Sequence, residues 1–402
     1  MQQSTSTLGF SYIENFRCLA DKCADNCCSH NWRIAVNDEQ AQNYLDNYPS
    51  LYNIIAKDSD GYRIQNNESG CMAQDQGLCI IHRDHGESLL SDTCADYPRM
   101  YRSLSQFYTR SGTMSCPEIA RKCLFDDHPF ALQPTELPDN HKNGTKLQNQ
   151  NIAALSQTLW QETISDLMES TLDKEKSIEE TLSTLWHMAT KLEQNSLTDW
   201  PKIIMQSKPK QLLSSLKDSA KSAEHTTDLL YMLLENLDRP SETTEHLRQL
   251  VIGAFTIHSH DLQNRPRCQL KQEFKDYYQN HKSQWLQSSL KRFVAAEITR
   301  TGFPFISHTS NGKDYGTSLK EWTTTLCLRT LTLRLLLSVC GTHYAADRQG
   351  NLPDENSVIT WVYNFCRKVN HTQPGNNEMD LRQAVLDSQG ERLYDYFDFM
   401  AM

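Results

Sequence analysis

Nine of the thirteen cysteines in this 402-residue chain fall between Cys18 and Cys123, far more than an even scatter would leave there. The stretch opens with Phe16-Arg17-Cys18-x4-Cys23-x3-Cys27-Cys28 and passes Cys71 and Cys79. It then gives Thr93-Cys94-Ala95-Asp96-Tyr97-Pro98-Arg99 and Ser115-Cys116-Pro117-Glu118. Thiols gathered from several loops hold zinc or an iron–sulfur cluster, or else form a disulfide framework. Residues Met1 to Phe10 have neither a basic start nor an apolar run, so they do not read as a secretory signal. The expected compartment is therefore the reducing cytoplasm, where ligation is favoured over disulfides. The odd total agrees, since thirteen thiols cannot all pair.

Cys18, Cys23 and Cys27 or Cys28 come from one short loop and can close on one centre without long-range folding. In an extended segment the side chains of Cys27 and Cys28 point to opposite sides. One would then serve the main centre while the other packs or serves a second site. Cys79, Cys94 and Cys116 each offer a further ligand from a distant loop. These seven are the candidate metal ligands, more than the four that one zinc or one cubane takes, which leaves either two centres or some structural thiols. Cys123, Cys268, Cys327, Cys340 and Cys366 read as core residues, because cysteine is often buried as a small hydrophobe. Ligand type does not separate zinc from iron–sulfur. A Cys-x2-Cys…Cys-x2-Cys ribbon and the Cys-x3-Cys-x2-Cys spacing of radical enzymes are both missing. His82, His85 and Glu87 read as surface loop residues.

A net charge of −10 leaves no basic surplus to neutralise phosphates, which argues against nucleic acid or an anionic membrane as partner and suits a basic protein surface. The most apolar run, Leu326 to Val339, is broken by Arg329 and Arg334 and is short for a membrane span. There is no Gly-x-Gly, hence neither a dinucleotide fingerprint nor the glycine-rich loop of a Rossmann-type methyltransferase.

The expected fold is mainly α, a loop-rich cysteine-cluster module followed by an all-α helical domain. Residues 1–10 read as a polar leader and 11–130 as the cysteine module, with a short helix over Asp38 to Tyr48. Residues 131–150, polar with two prolines and Asn-Gly, read as a linker. Within 151–402 the apolar period predicts helices over 152–169, 178–192, 228–237, 245–257, 269–301, 319–340 and 357–369, with an aromatic, acidic tail from 391 to 402. The run over 319–340 is apolar nearly all round, as a central buried helix should be. Ser115-x-x-Glu118 has capping-box spacing, and Pro117 suits a first helical turn.

The run Phe16-x-Cys18-x4-Cys23-x3-Cys27-Cys28-x3-Trp32-x-Ile34 resembles the opening of the flagellin lysine N-methylase family. So do Cys71, Gly77-Leu78-Cys79-Ile80, Gly86-Glu87, Leu90-Ser-x-Thr-Cys94-x-x-Tyr97-Pro98-Arg99, Leu104, and Ser115-Cys116-Pro117-Glu118-x-Ala120-Arg121. The helical half fits in outline over 293–305, 326–337 and 358–371. Parts of the front pattern are also similar to a wider group of zinc- or iron-chelating cysteine-cluster proteins. One departure is Ser29-His30-Asn31 before Trp32, where the family usually carries a glycine.

This resemblance implies methyl transfer from S-adenosylmethionine to lysine side chains of flagellin in the cytoplasm, with an iron–sulfur cluster of [4Fe-4S] type, or alternatively zinc. Trp32, Asp96, Tyr97 and Arg99 lie next to the cysteine motifs and are the candidate cofactor or substrate contacts. The structural alternative is that Tyr97-Pro98-Arg99 is a turn, with Arg99 pairing a carboxylate. The competing class is a non-enzymatic iron–sulfur or zinc-binding protein acting as carrier or redox sensor. No residue stands out as the catalytic base, and nothing in the sequence speaks to oligomeric state.

Overall fold

Residues Leu319–Asp347 form a 29-residue helix on which the larger part of the protein is assembled. The computed structural model describes residues 6–29, 32–68, 70–104, 107–136, 145–146, 155–207, 219–238, 242–258, 266–274, 276, 284–305, 318–371 and 374–401. A capping box starts the long helix: Glu321 N donates to Ser318 Oγ at 3.1 Å and Ser318 N to Glu321 Oε2 at 3.2 Å. By length and composition the helix could cross a membrane, yet its apolar window is buried throughout inside the protein. Helices Ile178–Glu193, Ser219–Asn236, Gln284–Thr301 and Asn376–Asp387 pack around it.

Two arginines sit inside that apolar run because each meets a carboxylate from a neighbouring helix. Arg329 reaches Glu378 at 2.8 Å and Arg334 pairs with Glu179, all four side chains being almost wholly buried. The buried threonines return their hydroxyls to the helix itself, as Thr330 does to Leu326 O and Thr332 to Leu328 O, each at 2.7 Å.

The fold is mainly α, as expected, with 63% helix, but much of the 14% of strand is placed where the sequence reading put a leader, loops and a linker. Ser6–Phe10, the described part of the expected polar leader, is an inner strand of a five-stranded mixed sheet. It runs parallel to Phe107–Gly112 and antiparallel to Leu132–Thr135. Phe107–Gly112 pairs in turn with Arg99–Ser103, and Thr145–Lys146 completes the far edge. The expected linker thus supplies two edge strands, and the rest of it, 137–144 and 147–150, lies outside the described residues. Short edge strands are recognisable only through their partners, because neither a four-residue nor a two-residue segment carries enough alternation to register.

The boundary at 130 also moves. Leu8, Phe10, Tyr12, Phe16, Phe107 and the helix Pro117–Phe125 belong to the same hydrophobic core as the C-terminal helices. Only about 34–94 has a core of its own, built by Ile34, Val36, Tyr44, Leu51, Ile64 and Ile81 under a three-stranded antiparallel sheet. The helix Asp38–Asn47 covers it, capped by Asn37, whose Oδ1 accepts from Gln40 N at 2.8 Å. In the helical half, the stretches expected to be helix at 245–257 and 269–301 are partly strand. The helix Glu242–Gly253 stops at its glycine, and Phe255–His258 pairs with Arg267–Leu270. Residues 277–283 lie outside the described residues, and helix resumes at Gln284.

Replacing Glu378 by leucine leaves Arg329 buried opposite an apolar side chain, with an expected loss of about 3–5 kcal/mol in chemical denaturation. The double variant R329L/E378L should regain most of that loss. A double variant as unstable as E378L would show that the pair is not what steadies the helix.

Candidate metal centre and adjoining aromatic face

The first cysteine loop does not stay extended. Cys27–Ser29 is a turn of 3-10 helix in which the Cys27 and Cys28 thiols hydrogen-bond to each other, instead of pointing to opposite sides as expected. Asn26 fixes the turn: its Oδ1 accepts from Cys28 N at 2.7 Å, and its Nδ2 donates to Gly77 O at 3.0 Å. That second bond ties the loop to the hairpin that ends in Cys79. Gly70, at φ +114°, lies so close to the turn that a Cβ there would stand 2.5 Å from Cys28 O. Only glycine allows this approach, and it sets the strand bearing Cys71 against Cys28.

The eight thiols of the front half fall into two neighbouring sets. Cys71 is part of the small core, and Cys28, Cys79 and Cys94 pack against it. Cys94 is held by the short helix Asp92–Asp96, which Ser91 caps by accepting from Cys94 N at 3.4 Å. Cys116 sits in the large core instead, at the start of Pro117–Phe125. Its electrostatic neighbours among the thiols include Cys23, Cys27 and the core thiol Cys123, and Cys18 acts on Cys23. Cys27 faces both sets.

One arginine joins this loop to the helical body. Arg367, on helix Glu355–His371, donates from Nε to Ser115 O at 3.0 Å, from Nη2 to Asp25 O at 2.8 Å, and from Nη1 to the Asp25 carboxylate. It thereby clips the Cys23–Cys27 loop to the residue preceding Cys116.

Electrostatics set the thiols apart. Burial raises Cys94 and Cys116 to about 12 each, and raises Cys23 and Cys71 in the same direction, with neighbouring thiols adding to the shift. Cys27 alone is lowered, to about 7, by the hydrogen bond from Cys28 and then by the Arg367 charge. Accepting that role pushes Cys28 the opposite way. Among the described residues no group of three or more His, Cys, Asp or Glu side chains stands arranged to hold a metal ion. The thiols are gathered but not closed on a common point. The donor set itself fits zinc or an iron–sulfur cluster, because it is soft, abundant and drawn from loops. Their mutual repulsion as thiolates is what a bound cation would relieve.

The four candidate contacts separate into two places. Trp32 and Tyr97 meet at 5.3 Å between ring centroids, and His371 joins them at 5.1 Å from Trp32 and 6.1 Å from Tyr97. Ser115 lies beneath, its hydroxyl 2.7 Å from His371 Nε2 and 3.3 Å from the Tyr97 hydroxyl. Asp96 and Arg99 turn elsewhere. Both act on Tyr101, and the Arg99 guanidinium lies over the Phe16 ring at 5.2 Å, with no carboxylate paired to it among the described residues. Ser29-His30-Asn31 departs from the family pattern at residues of which 30 and 31 lie outside the described ones. The capping box expected at Ser115 does not form. Cys116 is the N-cap residue, Ser115 serves the aromatic cluster, and Glu118 makes a two-pronged pair with Arg121 at 2.9 Å. Pro117 does occupy the first turn.

Cys71, Arg367, His371 and Ser115 are the site residues that sequence reasoning did not select. Cys71 and Ser115 were visible within the cysteine motifs, though not as site residues; Arg367 and His371 carry no local signal. Cys123, Cys268, Cys327, Cys340 and Cys366 are all buried in the large core. His82 is exposed and His85 meets the Tyr48 ring edge to face. Compared with protein-family models, with curated proteins and with solved structures, the chain finds no match in any of the three.

His371 is lowered to about 4, chiefly by desolvation among these rings and then by Arg300 and Arg367. The residue is exposed by accessible surface, so water tempers this penalty and the shift is smaller than burial among the rings alone would give. Its folded value lies below the unfolded one, so the stability it contributes is present above pH 6.5 and lost as pH falls toward 4. The melting temperature of H371Q should accordingly vary less than that of the wild type over that window. Parallel curves would show that His371 titrates as it does in water.

Proposed function

We propose that this chain is a protein-lysine N-methyltransferase, carrying methyl groups from S-adenosylmethionine to lysine side chains of flagellin, with its front thiols holding an iron–sulfur cluster or zinc. The observation that carries the reading is the meeting of Trp32 and Tyr97, from two separate cysteine motifs, on one aromatic face beside the thiols. Both belong to the motifs that resemble the flagellin methylase family. A ring face attracts sulfonium and ammonium cations alike through its quadrupole. The net charge of −10 suits a basic substrate.

The reaction asks little covalent chemistry of the protein. A neutral amine attacks the sulfonium methyl in line, so the main tasks are to orient donor and acceptor and to present the amine without its proton. Free lysine titrates near pH 10.4 and is almost wholly charged at neutral pH. Removing water from the amine beside a positive sulfonium favours the neutral form. Trp32 and Tyr97 exclude that water on one side. Cys18, Cys23, Cys27 and Cys116, together with Cys28, Cys71, Cys79 and Cys94, would hold the metal. Such a centre, when bound, supplies a rigid anchor for the loops and, with an open position, a grip on the amino and carboxylate end of the methyl donor. Asp96 and Arg99 act at Tyr101, behind this face, and support the strand that follows Tyr97.

The alternative, a carrier or redox sensor without activity, is supported by the thiols alone and leaves the aromatic face without a role. Labelled S-adenosylmethionine with flagellin, incubated with anaerobically reconstituted protein, decides between them. Label should appear on flagellin lysines, and W32A should lower the rate at least tenfold while thiol-bound metal is retained. Metal-loaded protein that transfers no label would leave the carrier reading standing.

A further inference from the structure

A line of polar side chains runs from the interior of the large core to the aromatic face, and its direction is set at the buried end. Glu297 is fully buried, and Arg300 keeps its carboxylate ionised through bonds of 2.8 to 3.0 Å. A carboxylate only accepts, so Asn370 must turn its amide nitrogen toward Glu297 Oε1, at 3.1 Å. The same nitrogen donates to Thr113 Oγ1 at 3.4 Å, and Ser115 N donates there at 3.3 Å. With both lone pairs of Thr113 engaged, its own hydrogen goes to Ser115 Oγ at 3.0 Å. Ser115 Oγ has two further neighbours, His371 Nε2 at 2.7 Å and the Tyr97 hydroxyl at 3.3 Å. One of them must take the serine hydrogen while the other donates. The phenol hydrogen has no other acceptor among the described residues, so Tyr97 donates and Ser115 gives its hydrogen to Nε2. His371 therefore carries its own hydrogen on Nδ1.

We infer that Tyr97, Ser115 and His371 form a proton relay that strips the amine bound at the Trp32–Tyr97 face, with His371 as the terminal acceptor. The inference rests on the lysine-methylation reading and supplies the base which that reading lacks. The substrate ammonium gives a proton to the Tyr97 oxygen as Tyr97 passes its own to Ser115 and Ser115 passes its own to Nε2. An N–H bond of the ammonium breaks, the electron pair stays on the amine, and the positive charge moves to the imidazole. The ring is exposed and releases its Nδ1 proton to water. Thr113, Ser115 and Asn370 are buried, so water does not compete for the bonds that set the direction. Desolvation, then Arg300 and Arg367, lower His371 to about 4 against the pull of Glu297, which leaves the ring neutral and able to accept at neutral pH. Ser115 and His371 act through Tyr97, which alone of the three touches the amine.

The test joins a spectroscopic measurement to a kinetic one, both on the anaerobically reconstituted full chain, with circular dichroism as the check on folding. In protein with nitrogen-15 in its histidine rings, the His371 signal, identified by its loss in H371Q, should report a proton on Nδ1. S115A should shift that proton toward Nε2. With labelled S-adenosylmethionine and flagellin, Y97F, S115A and H371A should each lower kcat by roughly 100-fold with little change in KM. Free imidazole should restore part of the rate to H371A and none to S115A. Should S115A fail to fold, Y97F and H371A carry the test, since those positions are half-buried and exposed. A wild-type ring protonated on Nε2, or H371A with the wild-type kcat, would overturn the relay. So would a folded H371A whose lost rate imidazole does not restore, because His371 would then be structural. A wild type that shows the expected ring but transfers no label would instead sink the methylation reading, and with it the amine as the source of the proton.

Discussion

Three hydrogen bonds from Arg367 join the helical body of this protein to its thiol loop and to the residue before Cys116. The guanidinium comes from the last turns of a helix in the large core, and its acceptors lie in the thiol loop and just ahead of Cys116. Hydrogen bonds to a charged donor are among the stronger ones, and burial makes their loss costly. The same helix ends in His371, which reaches Ser115 and the Trp32 ring. A single helical segment thus sets both the loop that bears the thiols and the aromatic face beside it.

That segment can be a reference frame because the helical body is rigidly built. Its central helix is apolar, but two arginines in its interior meet carboxylates on separate neighbours, Glu378 and Glu179. Buried pairs of this kind fix which helices lie together and in what register, even where they add little net stability. Helix Glu355–His371 packs against both the central helix and Pro117–Phe125. The path from the core to Cys116 therefore runs through packed helices.

The front module is held differently. Its own core is small, so local devices do much of the positioning. Gly70 admits the Cys28 carbonyl where any side chain would collide, Asn26 pins the turn to Gly77, and Ser91 caps the helix bearing Cys94. Each is a turn or capping device with a direct backbone cause. Together they bring thiols from four separate segments within electrostatic reach of one another.

The sequence by itself determined the mainly α class, the burial of five cysteines among apolar positions, the central helix and the chemical character of the thiol stretch. These are local properties. A 3.6-residue apolar period or a cluster of soft ligands is written in neighbouring residues and needs no knowledge of what lies across the fold. The tertiary structure decided the rest. Ser6–Phe10 became an inner strand only because Phe107–Gly112 lies beside it, and 131–150 ceased to be a mere connection once its strands found sheet edges. Trp32 and Tyr97 met while Asp96 and Arg99 diverged, although all four lie next to cysteine motifs. Arg367 and His371 reached the thiol site from a helix whose local pattern speaks only of packing. Hydrogen bonds and ring contacts between residues hundreds of positions apart leave no period or spacing in the chain, and so they become visible only when it is folded.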